Sequence, residues 1–360
     1  LKNFDPNQFI EKKEIRKLDP FSIYALSAAQ EAIESSNLNF KNINLDRAGV
    51  IIATGIGGIQ TLENEHDIIN NRGPRRVSPL FVSKMIPNIA GGHLSMKFGF
   101  RGPSQTIISA CASSNDAIGI ALRLIRYGDA DIMLTGGTEA SITPLTISGF
   151  ANMKALSQNC TNPTKASRPF DADRDGFVLS EGAGILMLES EEHALKREAP
   201  ILAELAGYGS TDDAFHITQP APEGLGANKA MKNALLDANL LPNDINYINA
   251  HGTSTPFNDK NESIAIGNVF KKSINKLKVS STKSMTGHLL GAAGGIEAIA
   301  TVKAIQHNII PPTINYDNPD PNCNLYYTPN KCEEHQVDAA LSNTFGFGGH
   351  NAVLCFKRYN

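Results

Sequence analysis

The sequence predicts an α/β fold in which helices cover a mainly parallel sheet. Short Val- and Ile-rich runs alternate with longer stretches of helical periodicity. Two distant segments repeat one order: strand, small polar turn, reactive side chain, buried helix. The chain of 360 residues, 41% hydrophobic and 19% charged, is long enough to bury one large core or two fused ones.

Taken in order, Asp19 followed by Pro20 marks a cap and first turn for a helix through IYALSAAQEAIESS. Strands are expected at 47–54 (RAGVIIAT), 104–110 (SQTIISA), 130–137, 182–189, 246–252 (NYINAHG) and 277–281 (LKVSS). A helix over 113–128 carries Ala117, Ile118, Ala121, Leu122 and Ile125 with little polar surface, so it is expected to be mostly buried. A second, over 288–305, aligns Leu289, Ala293, Ile296 and Ala300 yet contains Gly291, Gly294 and Gly295. Each glycine costs about 0.8–1 kcal/mol against alanine in a helix interior, so close neighbours must require the missing side chains. A strand at 201–210, after the charged segment ESEEHALKREAP, is the expected seam between halves.

Composition excludes several classes. Lys and Arg number 33 against 36 Asp and Glu, a net charge of −3, so no global basic field draws nucleic acid or an anionic membrane. Five cysteines (111, 160, 323, 332, 355) form an odd set without C-x-x-C spacing, against a disulfide framework or zinc knuckle and in favour of a reducing compartment. No run of about 18 apolar residues crosses a membrane, and the first residues lack the regions of a signal peptide.

Three settings carry chemistry. Cys111, in SACASS, lies where a strand gives way to a helix; unsatisfied amides there favour thiolate, although a lone cysteine is more often core. His251 (NAHGTSTPFND) and His288 (STKSMTGHLLGAAGG) occupy glycine-rich strand ends, where a histidine serves either chemistry or packing. The turn in SNTFGFGGHNAVLCF offers backbone N–H groups to an oxyanion, or is a tight turn needing glycine.

These motifs in this order, with TGIGGI, GGTEA and RPFDADRDGFVLSEGAG, resemble the β-ketoacyl-acyl carrier protein synthases of the thiolase superfamily, most closely the synthase II type, almost from end to end. The intervals from Cys111 to His251 (140 residues) and on to His288 (37) also suit that family. The resemblance implies a thiolase-like fold: two similar halves, 1–198 and 199–360, in an α-β-α-β-α sandwich. Family members open with a strand and glycine-containing turn upstream of EIRKLDPFSIYAL; the expectation is that these residues are omitted here rather than lost from the protein.

The implied reaction is decarboxylative Claisen condensation: an acyl group on Cys111 joins malonyl-acyl carrier protein to give 3-oxoacyl-carrier and CO2 in fatty acid elongation. By resemblance, Cys111 is the nucleophile, its N–H and that of Phe347 hold the oxyanion, and His251 and His288 stabilise the enolate. Lys283 and Glu297 form a supporting ion pair, for which a plain structural salt bridge is the alternative. Thr253 and Thr255 hold the phosphopantetheine arm, Phe347 gates the acyl chain, and Ile56, Phe150, Phe345 and Gly348 contact substrate. The basic side chains Lys13, Arg16, Lys17 and Lys154 suit an acidic carrier protein, while a solvated helix face is the bland reading of the 13–17 run. Neither a cofactor of its own nor a metal is expected. A homodimer is expected, with Phe81 near its interface, in the bacterial cytoplasm or in an organelle such as a plastid or mitochondrion.

Rival readings are a thiolase, a synthase III, a polyketide-type ketosynthase, a non-elongating acyl-binding paralogue and a Cys–His hydrolase. A thiolase needs a second cysteine in the final glycine turn, which reads FGFGGHN with Cys355 beyond it; a synthase III pairs cysteine with one histidine and one asparagine.

Overall fold

The computed structural model describes residues 1–359. Two mixed sheets dominate it. In the first, β1 (Ala48–Ala53) runs parallel to β2 (Ser104–Ile107) and β3 (Ile132–Glu139), and β4 (Gly182–Glu189) closes the order β2-β1-β3-β4 antiparallel to β3. The second contains β5 (Glu204–Asp212), β6 (Tyr247–Asn249), β7 (Lys278–Ser280), β10 (Ala339–Phe345) and β11 (His350–Lys357) in the order β5-β11-β10-β6-β7. Between β7 and β10 lies a small ribbon, β8 (Ile309–Ile310) with β9 (Glu333–Glu334).

Within the second sheet β7, β6 and β10 are parallel, while β11 is antiparallel to both β10 and β5. Each half thus sets three parallel strands beside an antiparallel one: β2-β1-β3 then β4, and β7-β6-β10 then β11. Parallel pairings predominate in the first sheet, as expected, while β11 makes the second mixed: the turn at 346–349 returns β10 directly into β11 as a hairpin, which needs no crossover helix.

Strands β1 and β3 are buried along their whole length, which explains the continuous apolar runs of β1 and of Ile132–Leu134 in place of alternation: helices cover both faces. Helices Ser113–Arg126 and Ala293–His307 fill the space between the sheets and touch both. Helices Pro20–Ser35 and Ile89–Phe98 cover the first sheet outside, and Leu225–Asp237 covers the second, completing five layers. Asp19 caps as expected: one carboxylate oxygen accepts the Phe21 N–H at 3.2 Å and the other binds Thr61, joining two outer helices.

The three glycines also find their reason. A Cβ on Gly294 would sit 2.5 Å from Asn115 Oδ1, and one on Gly291 or Gly295 would overlap the backbone of Gly55 or Gly184. The second central helix therefore approaches both its partner helix and the first sheet at backbone distance. It begins at Ala293, after a single 3-10 turn (Leu290–Ala292), not at 288 as expected. His288 is left on an extended segment whose N–H donates to Val178 O and whose carbonyl accepts from Ser180. Across the layer, Asn115 donates to the carbonyls of Ser342 (2.9 Å) and Ala352 (3.2 Å), tying the first half's central helix to β10 and β11.

Candidate active site

Cys111 follows β2 through a tight turn. Ala110 adopts a left-handed conformation (φ +51°), Ser113 Oγ accepts the Ser109 N–H and donates to Ala110 O, and the helix starts at Ser113. The sulfur is thereby held at the helix entrance. Opposite it, Gly346 packs so closely on this turn that a Cβ would lie 2.6 Å from Ser109 O and 3.1 Å from Cys111 N. Gly348 (φ +88°) and Gly349 (φ +87°) supply the reversal between β10 and β11. The glycine turn is therefore required by the reversal itself, and it also brings the Phe347 N–H to the Cys111 sulfur.

The two histidines meet there. His288 Nε2 lies 3.1 Å from Cys111 Sγ, and the His251 ring stands at 85° to that of His288 with centroids 5.4 Å apart. Behind them, the buried ion pair Lys283–Glu297 also reaches His251: Lys283 Nζ donates to Nδ1 at 3.3 Å. With Nδ1 accepting, His251 carries its proton on Nε2. Both N–H groups of His251 and Gly252 donate to the Glu262 carboxylate at 2.8 Å, which Asn343 also approaches at 3.2 Å.

Burial decides the protonation states. It pushes the Cys111 thiol up to about 12, and the opposing Lys283 charge and Phe347 N–H do not restore the usual value. Burial thus works against the thiolate that the helix entrance was expected to favour, while the Lys283 charge and the Phe347 N–H work for it. Burial first, then the Lys283 charge, hold His288 and His251 well below the usual histidine range, with His288 adding to the effect on His251. The resting site therefore contains a thiol and two neutral imidazoles around one ammonium–carboxylate pair. A neutral His288 can accept the thiol proton and later return it.

A cavity of about 400 Å³ opens onto these groups. Cys111, His251, His288, Thr253, Thr255, Ile56, Phe150, Phe345, Phe347 and Lys154 line it. Thr253 and Thr255 share a hydrogen bond of 2.9 Å between their hydroxyls. Phe345 meets His251 edge-on at 5.6 Å, and Phe150 lies 6.5 Å from Phe347. Lys283 and Glu297 stand behind the wall, fully buried. Gly348 does not line the cavity; its N–H goes to Ile217 O. Lys13 and Lys17 pair with Glu11 and Glu14 in their own segment, and neither they nor Arg16 borders the cavity.

Three residues of the site had no sequence signal of their own. Phe177 packs edge-on against His288 at 5.2 Å, Glu262 anchors the His251 loop, and Glu139 accepts the N–H groups of Gly55, Ile56 and Gly291. Only the motifs GGTEA and RPFDADRDGFVLSEGAG pointed near two of them. Cys355 lies buried in the core on β11, away from the cavity.

A sulfur and two imidazoles brought to one cavity between two similar α/β halves are the architecture of a thiolase-like condensing enzyme. Residues 1–194 match the β-ketoacyl synthase N-terminal domain and 202–317 the C-terminal domain, and the chain belongs to the β-ketoacyl synthase family. It is 51% identical over 359 residues to the 3-oxoacyl-[acyl-carrier-protein] synthase 2 of Synechocystis sp. and to that of Staphylococcus aureus, covering all of this chain and 86% of each relative. Among solved structures, a β-ketoacyl synthase from Burkholderia phymatum superposes with TM-score 0.93 at 33% identity, over 100% of this chain and 87% of that one. The AntDE:AntF complex, described as a type II polyketide acyl carrier protein with its ketosynthase bound to the hexaketide, gives 0.92 at 38% identity, over 98% of this chain and 86% of that one.

Proposed function

We propose that the chain elongates fatty acids as a 3-oxoacyl-acyl carrier protein synthase of the second type. The observation that carries the residue roles is the convergence of Cys111, His288 and His251 on one cavity. The Cys111 thiol passes its proton to His288 Nε2 as sulfur attacks the thioester carbonyl of an acyl-carrier protein. The N–H groups of Cys111 and Phe347 hold the oxyanion; the carbon–sulfur bond to the carrier then breaks, the carrier thiolate takes the proton back from His288, and acyl-Cys111 remains beside a neutral imidazole.

Malonyl-carrier enters next, its phosphopantetheine arm against Thr253 and Thr255. His251 Nε2–H and a neutral His288, now in the tautomer with its proton on Nε2, donate to the thioester carbonyl; the bond to the carboxylate breaks, its electrons form the enolate, and CO2 leaves. The enolate carbon attacks acyl-Cys111, forming the new carbon–carbon bond and expelling the Cys111 sulfur as a thiolate, which takes from solvent the one proton that the overall reaction consumes. Burial and the Lys283 charge keep the imidazoles neutral, and Lys283, paired with Glu297, holds His251 at Nδ1. Phe347 and Phe345 gate the acyl chain, and Ile56 and Phe150 border its path.

No cofactor of the chain's own enters this scheme; the carrier's arm delivers both substrates. Lys154 at the cavity is the docking contact favoured for the carrier, while Lys13, Arg16 and Lys17 fit a more distant contact. The halves divide at 198/199. A homodimer fits the edge strand β2, whose Ser104 and Gln105 are exposed, with Ile108 beyond it 53% exposed and Phe81 only half-buried; the proposed compartment is the bacterial cytoplasm or an organelle. No described helix is long and apolar enough to cross a membrane.

A polyketide-type ketosynthase is the second reading, favoured by the likeness to the AntDE:AntF complex at 38% identity against 51% for the fatty acid relatives. Mixing the protein with fatty-acyl carrier and reading the mass of tryptic peptides tests the assignment: the expected result is acylation of Cys111, followed by CO2 and one 3-oxoacyl product on adding malonyl-carrier. Release of free acid alone defeats the proposal, and repeated condensation without reduction supports the polyketide reading.

A further inference from the structure

Asp116 is buried, charged and unused by the reaction. It lies in the first turn of the Ser113–Arg126 helix, where an acidic group suits the helix dipole, but its two oxygens are committed elsewhere. Oδ2 accepts the Ser109 hydroxyl at 2.5 Å, and Oδ1 accepts the Tyr208 hydroxyl. Ser109 belongs to the turn that carries Cys111; Tyr208 belongs to β5 in the second half. The helix is cut away to admit that ring: a Cβ on Gly119, three residues after Asp116, would overlap the Tyr208 ring carbons. The Arg123 guanidinium closes over the ring, 4.8 Å from its centroid.

The consequence is geometric. Ser109 is held at its side chain by Asp116, at its N–H by Ser113, and at its carbonyl by the Ala112 N–H. These bonds hold Ala110 at φ +51° and set the direction of the Cys111 N–H, which must point into the oxyanion position. Backbone strain of this kind persists only where surrounding bonds over-determine it. The Ser109 carbonyl also faces Gly346, so a shift in this turn changes the distance between the two oxyanion donors.

We propose that Asp116 is a positioning residue for the acyl-transfer step: through Ser109 it aims the Cys111 N–H, and through Tyr208 it registers the nucleophile turn against the half that supplies both histidines. The assignment rests on Cys111 being the nucleophile.

The test uses the full chain and measures single-turnover acylation of Cys111 by acyl-carrier protein in Ser109→Ala, Tyr208→Phe and the double variant, with thermal melting alongside. Each single variant is expected to slow acylation about 10-fold, because sub-ångström misplacement of reacting groups is expensive in rate, with the carrier concentration at half-saturation unchanged. The double variant is expected to match Ser109→Ala, since Tyr208 acts only through Asp116 and Ser109. Wild-type acylation rates with lowered melting temperatures overturn the proposal, as do independent, multiplying effects in the double variant. Cys111→Ala separates the two claims: an acyl adduct that survives it refutes the nucleophile itself, whatever Asp116 does.

Discussion

The two halves solve one structural problem with opposite geometry. In the first, the reactive residue sits two positions before its central helix, on a turn tightened by a left-handed Ala110. In the second, His288 precedes its helix by five residues, separated by a 3-10 turn, while Lys283 lies on a short helix just before it. The first half therefore delivers one side chain to the helix entrance, and the second delivers a cation and an imidazole to opposite sides of one wall. Burial then acts on both in the same direction, toward neutrality: up for the thiol, down for the imidazoles. The site's only fixed charges among these groups are Lys283 and Glu297, kept behind the wall.

The comparison breaks first at the histidines. His288 touches the sulfur and His251 does not, so His288→Ala is expected to lower both Cys111 acylation and malonyl decarboxylation by about 10²–10⁴-fold. His251→Ala is expected to spare acylation within a few fold while reducing decarboxylation comparably. Separate assays of acyl adduct mass and CO2 release check this. Equal loss of acylation in both variants means that the division of labour between the halves is wrong.

Next comes the charge behind the wall. Glu297→Gln leaves the Lys283 ammonium buried beside His251 without its carboxylate, and losing one partner of such a pair costs about 3–5 kcal/mol. Denaturant midpoints at constant slope measure that loss. A double change, Lys283→Met with Glu297→Leu, is expected to recover much of the stability and none of the activity. Recovery of activity would make the pair merely structural.

Much of this comparison was legible in the sequence, for identifiable reasons. The β1 and β3 runs are buried on both faces and read as strands without context. The glycines of the Ala293–His307 helix announced a close approach that Asn115, Gly55 and Gly184 provide. That Cys111, His251 and His288 meet was legible through motif resemblance; the 140- and 37-residue intervals alone carry no geometry. Strand direction was not legible, because whether β4 or β11 returns antiparallel is decided by non-local pairing. Nor was Glu262: on the Pro256–Val269 helix it looks like any acidic residue, and only the fold turns it onto two backbone N–H groups. The Lys13–Lys17 run was the least decisive signal, since Glu11 and Glu14 answer part of its charge within the same few residues.

A smaller perturbation sharpens the packing side. Gly294→Ala places a methyl 2.5 Å from Asn115 Oδ1, so the two central helices must part. Overpacking of this kind costs about 1–3 kcal/mol, and the melting temperature is expected to fall accordingly. The movement also strains the Asn115 bonds to β10 and β11, so acylation is expected to slow more than the histidine-dependent CO2 release.

The smallest expected effect is a pH dependence carried by Glu262. Burial raises its carboxyl to about 7, against three opposing donors from Gly252, His251 and Asn343. The folded protein thus holds this proton more tightly than the unfolded chain, so between about pH 4.5 and 7 its contribution to stability falls as pH rises. Activity is expected to move the other way. The carboxylate accepts both N–H groups of the His251 loop; once protonated, one oxygen becomes a donor facing a donor, and the loop loosens. The buried histidines stay neutral well below their ordinary range, so they do not account for a fall in turnover beginning near pH 7. Glu262→Gln is expected to lower turnover a few fold and flatten that limb. An unchanged limb in this variant would return the titration to another group and leave the His251 loop fixed by its strand alone.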